Sequence, residues 1–272
     1  KARPLNHPAA IPIRSTMERA MDRARGFAAV GIVAAMSLLG GCGGENTDSP
    51  AAAGNGACDV VLDVTGHPSA DWSFQELSKS VKSGALQQTC ADRLMLAGLI
   101  TDYSKANACP TPSVNTYVRD PNQKKQKRLQ DEAWLTYTQE VNDLFVCGVY
   151  GDAAADPGSA RALKFEGSDV FSAVQESQQS MSAVEGPKSL ILFSDMRNTM
   201  PPMTVPNREP VDEAVAQLQE KGVVPDLQGT DVIVVGSGTS DAISPVRQAK
   251  IVDFWTAFFQ AAGANVQFQE SL

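Results

Sequence analysis

Histidine is almost missing from this chain: 272 residues contain 2, and His67 is the only one downstream of the N-terminal 41 residues. A Ser-His-Asp hydrolase needs an imidazole beside its nucleophile, and no Gly-x-Ser-x-Gly elbow stands near His67 to provide that nucleophile. Structural zinc sites use Cys and His at short spacings, and no CxxC pair occurs. A dinucleotide fingerprint is incomplete too: Gly236-Ser237-Gly238 follows an apolar run but lacks the third glycine, so a tight turn accounts for it better. Aromatic residues make up 6% and fall mostly in helical core patterns, which leaves few platforms for stacking sugars. Basic charge is short as well. The residues before Cys42 hold six of the 23 Lys and Arg but only two of the 31 acids, so removing them takes the net charge from −8 to −12. That balance argues against nucleic acid or an anionic lipid surface as partner, since both reward basic patches. No heptad run or repeat of 20 to 50 residues is present, and a monomer is the expectation.

What the sequence does have begins at Met17. Arg19, Arg23 and Arg25 open a segment whose apolar stretch, Phe27 to Leu39, is about 13 residues long, whereas a membrane-spanning helix takes roughly 20. A basic start, a short apolar run and a small-residue exit are the zones of an export signal. The exit, Leu39-Gly40-Gly41-Cys42, resembles the lipobox of bacterial lipoproteins. That resemblance implies cleavage before Cys42, lipid on its sulfur, and attachment to the extracytoplasmic face of a bacterial membrane in the cell envelope. Lys1 to Thr16 precede the first methionine, show no periodicity and are expected to carry no function. Residues 1–41 are thus read as upstream residues plus signal peptide. Residues 42–56, rich in Gly, Ala, Ser, Asn and Pro, are read as a flexible tether, and 57–272 as one folded domain of about 216 residues. Cys58, Cys90, Cys109 and Cys147 are an even set in an exported chain, which reads as two disulfides with three connectivities open.

Within the domain, short continuous apolar runs alternate with amphipathic stretches. Asp59 to Asp63, Arg93 to Ile100, Leu190 to Phe193 and Asp231 to Val235 read as strands buried on both faces, and Val266 with Phe268 as an edge strand. Ser73 to Gln88, Lys124 to Phe145, Val170 to Val184, Val211 to Gln219 and Ser244 to Ala262 read as helices, with Ser168 or Asp169 capping the third. The basic cluster Lys124 to Arg128 reads as a solvated helix start. The pattern predicts an α/β fold: a three-layer, doubly wound, Rossmann-like sandwich, its central sheet mostly parallel and helices on both faces. In such sheets ligands sit beyond the carboxyl ends of the strands, so the polar residues there matter most.

Three such ends stand out: Asp63-Val64-Thr65-Gly66-His67, Gly167-Ser168-Asp169 and Phe193-Ser194-Asp195. In these residues and in element order across Ala57 to Leu272, the chain resembles the von Willebrand factor A-like domain, whose metal-ion-dependent adhesion site is built from three loops. Carried over one position at a time, the resemblance puts Asp63 at the first aspartate, Thr65 at the first serine, Ser168 at the threonine of the second loop and Asp195 at the last aspartate. His67 falls where the second serine belongs and offers no hydroxyl; Ser69 is the nearest substitute. The resemblance implies Mg2+ or Mn2+ held by hard oxygen ligands, with a position left for a partner's carboxylate.

The functional expectation is a membrane-anchored, non-catalytic domain that binds a protein or cell-envelope partner through this face. Two alternatives stand beside it: an envelope hydrolase using Asp63 and Asp195 as a carboxylate pair, and a metal-free structural protein in which Asp63, Ser168 and Asp195 only satisfy turn amides. Met196, Met200 and Met203, with Pro201 and Pro202, form a loop after Asp195 that reads either as a rim touching a partner or as packed irregular structure.

Overall fold

The computed structural model describes residues 55–65, 67–102, 109–150, 167–206, 209–237 and 244–272, with side chains left out at 67–70. The signal segment, Cys42, nearly all of the tether and the loop from Gly151 to Gly158 lie outside the described residues. Every described residue belongs to the unit that runs from Ser49 to Leu272.

Among the described residues, six strands form one mixed, mostly parallel sheet. They are β1 (Ala57–Asp63), β2 (Leu94–Ile100), β3 (Ser113–Asn115), β4 (Lys188–Phe193), β5 (Thr230–Val235) and β6 (Asn265–Gln269), arranged in the order β3-β2-β1-β4-β5-β6. Only the β2–β3 pair is antiparallel. The chain steps outward from β1 to β2 and β3, then returns to the other side of β1 and steps outward again through β4, β5 and β6. The carboxyl ends of β1 and β4 therefore adjoin where the direction of winding reverses, the place at which open α/β sheets form a crevice.

Helices α1 (His67–Ser83), α2 (Ala85–Thr89), α3 (Gln123–Tyr150), α4 (Val170–Ser182), α5 (Val211–Glu220) and α6 (Pro245–Ala261) connect the strands. Side chains alternate along each strand, and the core divides accordingly. Val61, Leu190, Leu192, Val232 and Val234 pack with α4, α5 and α6. Cys58, Val60, Leu62, Ile191 and Phe193 pack with α1, α2 and α3. The first of these cores is dominated by an aromatic group in which Phe171 of α4 meets Phe254, Trp255 and Phe258 of α6 at centroid distances of 6.2, 5.0 and 5.3 Å. The second contains both disulfides, Cys58–Cys90 and Cys109–Cys147, which close loops with sequence separations of 32 and 38.

Three differences from the sequence reading have plain causes. Helix α1 starts at His67 rather than Ser73, because Pro68 falls in the first turn, where a missing N–H removes no helical bond. Its run then breaks at Gly84, where a left-handed backbone (φ 78°) leads into the short α2. Strand β3 is new: three residues with only Val114 half-buried give no alternation to detect. Of the two readings of the loop after Asp195, the packed one fits: Met196 is fully buried and Met203 packs against the core. Lys125, Lys127 and Arg128 pair with Asp120, Asp131 and Glu132 on an exposed face, as expected of a solvated helix start. Among the described residues, no helix is long and apolar enough to cross a membrane.

Candidate functional site

β1 ends at Asp63, a carboxylate with 1% of its surface exposed at the point where winding reverses. Three hydroxyls surround it. Thr65 donates to Asp63 Oδ1 through its backbone N–H (3.0 Å) and its Oγ1 (2.5 Å). Ser194, one residue past β4, donates from Oγ to Asp63 Oδ2 at 2.8 Å. The backbone carbonyl of Asp63 accepts from Ser73 Oγ at 2.7 Å, which holds α1 against the strand end.

The second loop reaches the same place from the turn before α4. Thr65 Oγ1 and Ser168 Oγ are directly hydrogen-bonded across 103 residues of sequence. Ser168 is fixed on both sides: its N–H donates to Thr199 Oγ1 at 2.9 Å and its carbonyl accepts from Thr199 N–H at 3.0 Å. Asp169 is turned away and caps α4, accepting from Ser172 N–H (3.0 Å) and Ser172 Oγ (2.7 Å). Of the two capping candidates in the sequence, Asp169 does that work and leaves the Ser168 hydroxyl to Thr65. The Asp169 N–H donates to the carbonyl of Thr101, past the end of β2, at 2.9 Å.

The third loop carries Asp195. Its Oδ1 accepts from Arg197 N–H at 3.0 Å, and the Arg197 guanidinium lies 3.9 Å from its Oδ2. This loop is shaped from within by Asn198, which accepts from Val170 N–H at 2.8 Å and donates to the carbonyls of Met200 (2.6 Å) and Met203 (2.7 Å). Met196 adopts a left-handed backbone (φ 62°), and its carbonyl accepts from Trp255 Nε1 of α6 at 2.7 Å. On the neighbouring strand, Gly236 follows β5 with φ 88°, and a Cβ there would run into the indole ring of Trp72.

The electrostatics of this group are set by burial. Loss of water pushes the Asp63 carboxyl up from 3.8 to about 6; hydrogen bonds from Thr65 and Ser194 oppose that rise, and the nearby charge of Asp195 adds to it. Asp195 is also raised, first by burial, with the Arg197 backbone N–H and guanidinium opposing. Both carboxylates therefore lack water to stabilise their charge, and Asp63 is further disfavoured by the charge of Asp195.

All four residues proposed from sequence occupy one site: Asp63, Thr65 and Ser168 are linked by hydrogen bonds, and Asp195 acts on Asp63 through its charge. Ser194 belongs with them and escapes the sequence reading, although a hydroxyl immediately before Asp195 at a strand end is a visible signal. Asn198 has no comparable signal, because its partners are backbone groups of its own loop and of α4. The donor set is oxygen only, which suits a hard divalent cation. It holds two carboxylates, and no cluster of three or more His, Cys, Asp or Glu suited to a metal occurs among the described residues. No protein-family model matches the chain, and no curated protein matches it either.

Proposed function

We propose that this chain is a lipid-anchored, von Willebrand factor A-like domain, doubly wound with helices on both faces, that binds a protein or cell-envelope partner at the carboxyl ends of β1 and β4. Asp63, Thr65, Ser168 and Asp195 hold Mg2+ or Mn2+ there, with Ser194 steadying Asp63. The observation that carries this reading is the convergence of three separate loops on one buried, oxygen-only group at the sheet's point of reversal. Donor chemistry supports the fit: two carboxyls raised by burial, Asp63 also by the charge of Asp195, gain more from a cation than solvated ones would. Hydroxyls now bonded to one another are free to turn a lone pair toward an ion. The cation supplies an attachment point for a partner's carboxylate, and the chain has no catalytic role. Lipid on Cys42 tethers the monomeric domain outside the membrane through residues 42–56.

The test is titration calorimetry of the purified chain with Mg2+ and Mn2+ at pH 7.5, beside Asp63→Ala and Asp195→Ala. The expected result is saturable binding by the parent that both variants lose; absence of heat in the parent counts against a cation site. The raised carboxyl pair also favours a second reading, a hydrolase in which one acid stays protonated beside an ionised partner. Turnover of an envelope glycan or ester that Asp195→Ala abolishes would select it.

A further inference from the structure

Away from the strand ends, β1 carries a second buried acid. Asp59 lies mid-strand, in register with Leu96 of β2 and Leu190 of β4, and is 3% exposed. The carboxyl accepts from Ser177 and from the Val60 N–H, but among the described residues its Oδ1 has no hydrogen-bond partner. An unpaired buried carboxylate oxygen is costly, and nothing in the site at Asp63 accounts for it. Asp59 lines a cavity of about 100 Å³ between β1, β2 and α4, closed on one side by the segment that enters β3. Ser177 lines the cavity beside Asp59, Glu176 and Ser180 of α4 stand at its exposed mouth, and Thr111 and Ser113 border it from the β3 side. Among the described residues, no Lys, Arg or His lines the cavity.

We infer that this cavity is a second cation site, in which Asp59 and Glu176, with the hydroxyls around them, bind a divalent ion of the calcium type. A volume of about 100 Å³ is several times the ~10–15 Å³ that one water requires, which leaves room for an ion and part of its hydration shell. Calcium accepts irregular sets of carboxylate, hydroxyl or carbonyl and water oxygens, whereas magnesium demands near-octahedral geometry; a floor of one carboxylate with a second at the mouth suits the former. Both acids have raised pKa values, Asp59 to about 6 mainly through burial and in part through the charge of Glu176, and Glu176 through burial and then the charge of Asp169.

The inference is independent of the site at Asp63, and the experiment keeps the two apart. The full chain carrying Asp195→Ala, which disables the first site, is titrated with CaCl2 at pH 7.5, alone and with Asp59→Asn or Glu176→Gln added. The expected result is one Ca2+ per chain, weakened at least about tenfold by either added substitution. Absence of Ca2+ binding in the Asp195→Ala chain overturns the inference, as does binding that Asp59→Asn leaves unchanged. Should Asp59→Asn fail to fold, Glu176→Gln, at the exposed mouth, decides: unchanged affinity there overturns it as well.

Discussion

Replacing Asp63 by asparagine removes the charge and little of the shape, so it separates what the carboxylate does for stability from what it does for binding. Burial raises this acid from 3.8 to about 6. At about 1.4 kcal/mol per pKa unit, the ionised form costs the fold roughly 2–3 kcal/mol at pH 7.5. In Asp63→Asn the new amide oxygen keeps both Thr65 donors, but the NH2 then faces Ser194 Oγ, which already accepts from Met196 N–H. That mismatch costs about 1 kcal/mol. The variant should therefore be more stable by ~1–2 kcal/mol, or some 2–8 °C in melting temperature for a domain of this size. The sign depends on pH. Between 3.8 and about 6 the folded parent binds more protons than the unfolded chain, so the parent loses stability as pH rises through that window. The advantage of the amide is accordingly full above about pH 6 and gone near pH 4, where only the lost hydrogen bond remains. Calorimetric melting with a chelator present, at pH 7.5 and pH 4, checks this. A variant that melts below the parent at pH 7.5, or one whose gain is the same at both pH values, refutes the account of Asp63 as a desolvated acid.

Two further outcomes concern the surrounding frame. Asn198→Ala deletes three hydrogen bonds, one buried and two part-buried, that shape the Asp195 loop and should cost about 2–4 kcal/mol in urea unfolding; a loss under about 1 kcal/mol would mean that the loop is held mainly by Met196 and Trp255. Gly236→Ala meets both a left-handed backbone and the Trp72 ring and should cost about 2 kcal/mol or more. Gly222→Ala, at φ 68° with open space around it, should cost about 1 kcal/mol, and equal losses at the two positions would remove Trp72 from the explanation.

The parallel strands were legible because burial on both faces leaves a continuous apolar word, as in Val60-Val61-Leu62 or Leu190-Ile191-Leu192-Phe193. Helix α6 was legible to within a residue at each end, since Ser244 caps it, Pro245 opens it and its apolar stripe is aromatic. The boundary of α3 was not: it continues past Phe145 to Tyr150, where Cys147 is tied to Cys109, a constraint that periodicity does not encode. The strand ends at Asp63 and Asp195 and the turn at Ser168 were likewise visible, and the resemblance to the von Willebrand factor A-like domain picked out Asp63, Thr65, Ser168 and Asp195 among them. The pairing of Thr65 with Ser168 was not visible, because it depends on how Thr199 and Asn198 seat the second loop. Asp59 looked like an ordinary opening of a strand word, and only its packing shows that one of its oxygens is left without a donor.

Both disulfides lie on the α1–α3 side of the sheet, and the opposite side rests on the aromatic group of α4 and α6. The two halves are consequently durable in different ways. A proteolytic nick in the turn between β1 and α1 would leave both pieces joined through Cys58 and Cys90, and would pass unseen on a non-reducing gel. A nick between α5 and β5 has no such bridge and would release a C-terminal fragment as soon as its packing gave way. A cut is therefore forgiven only where a bridge spans it, between Cys58 and Cys90 or between Cys109 and Cys147, and it parts the chain anywhere else.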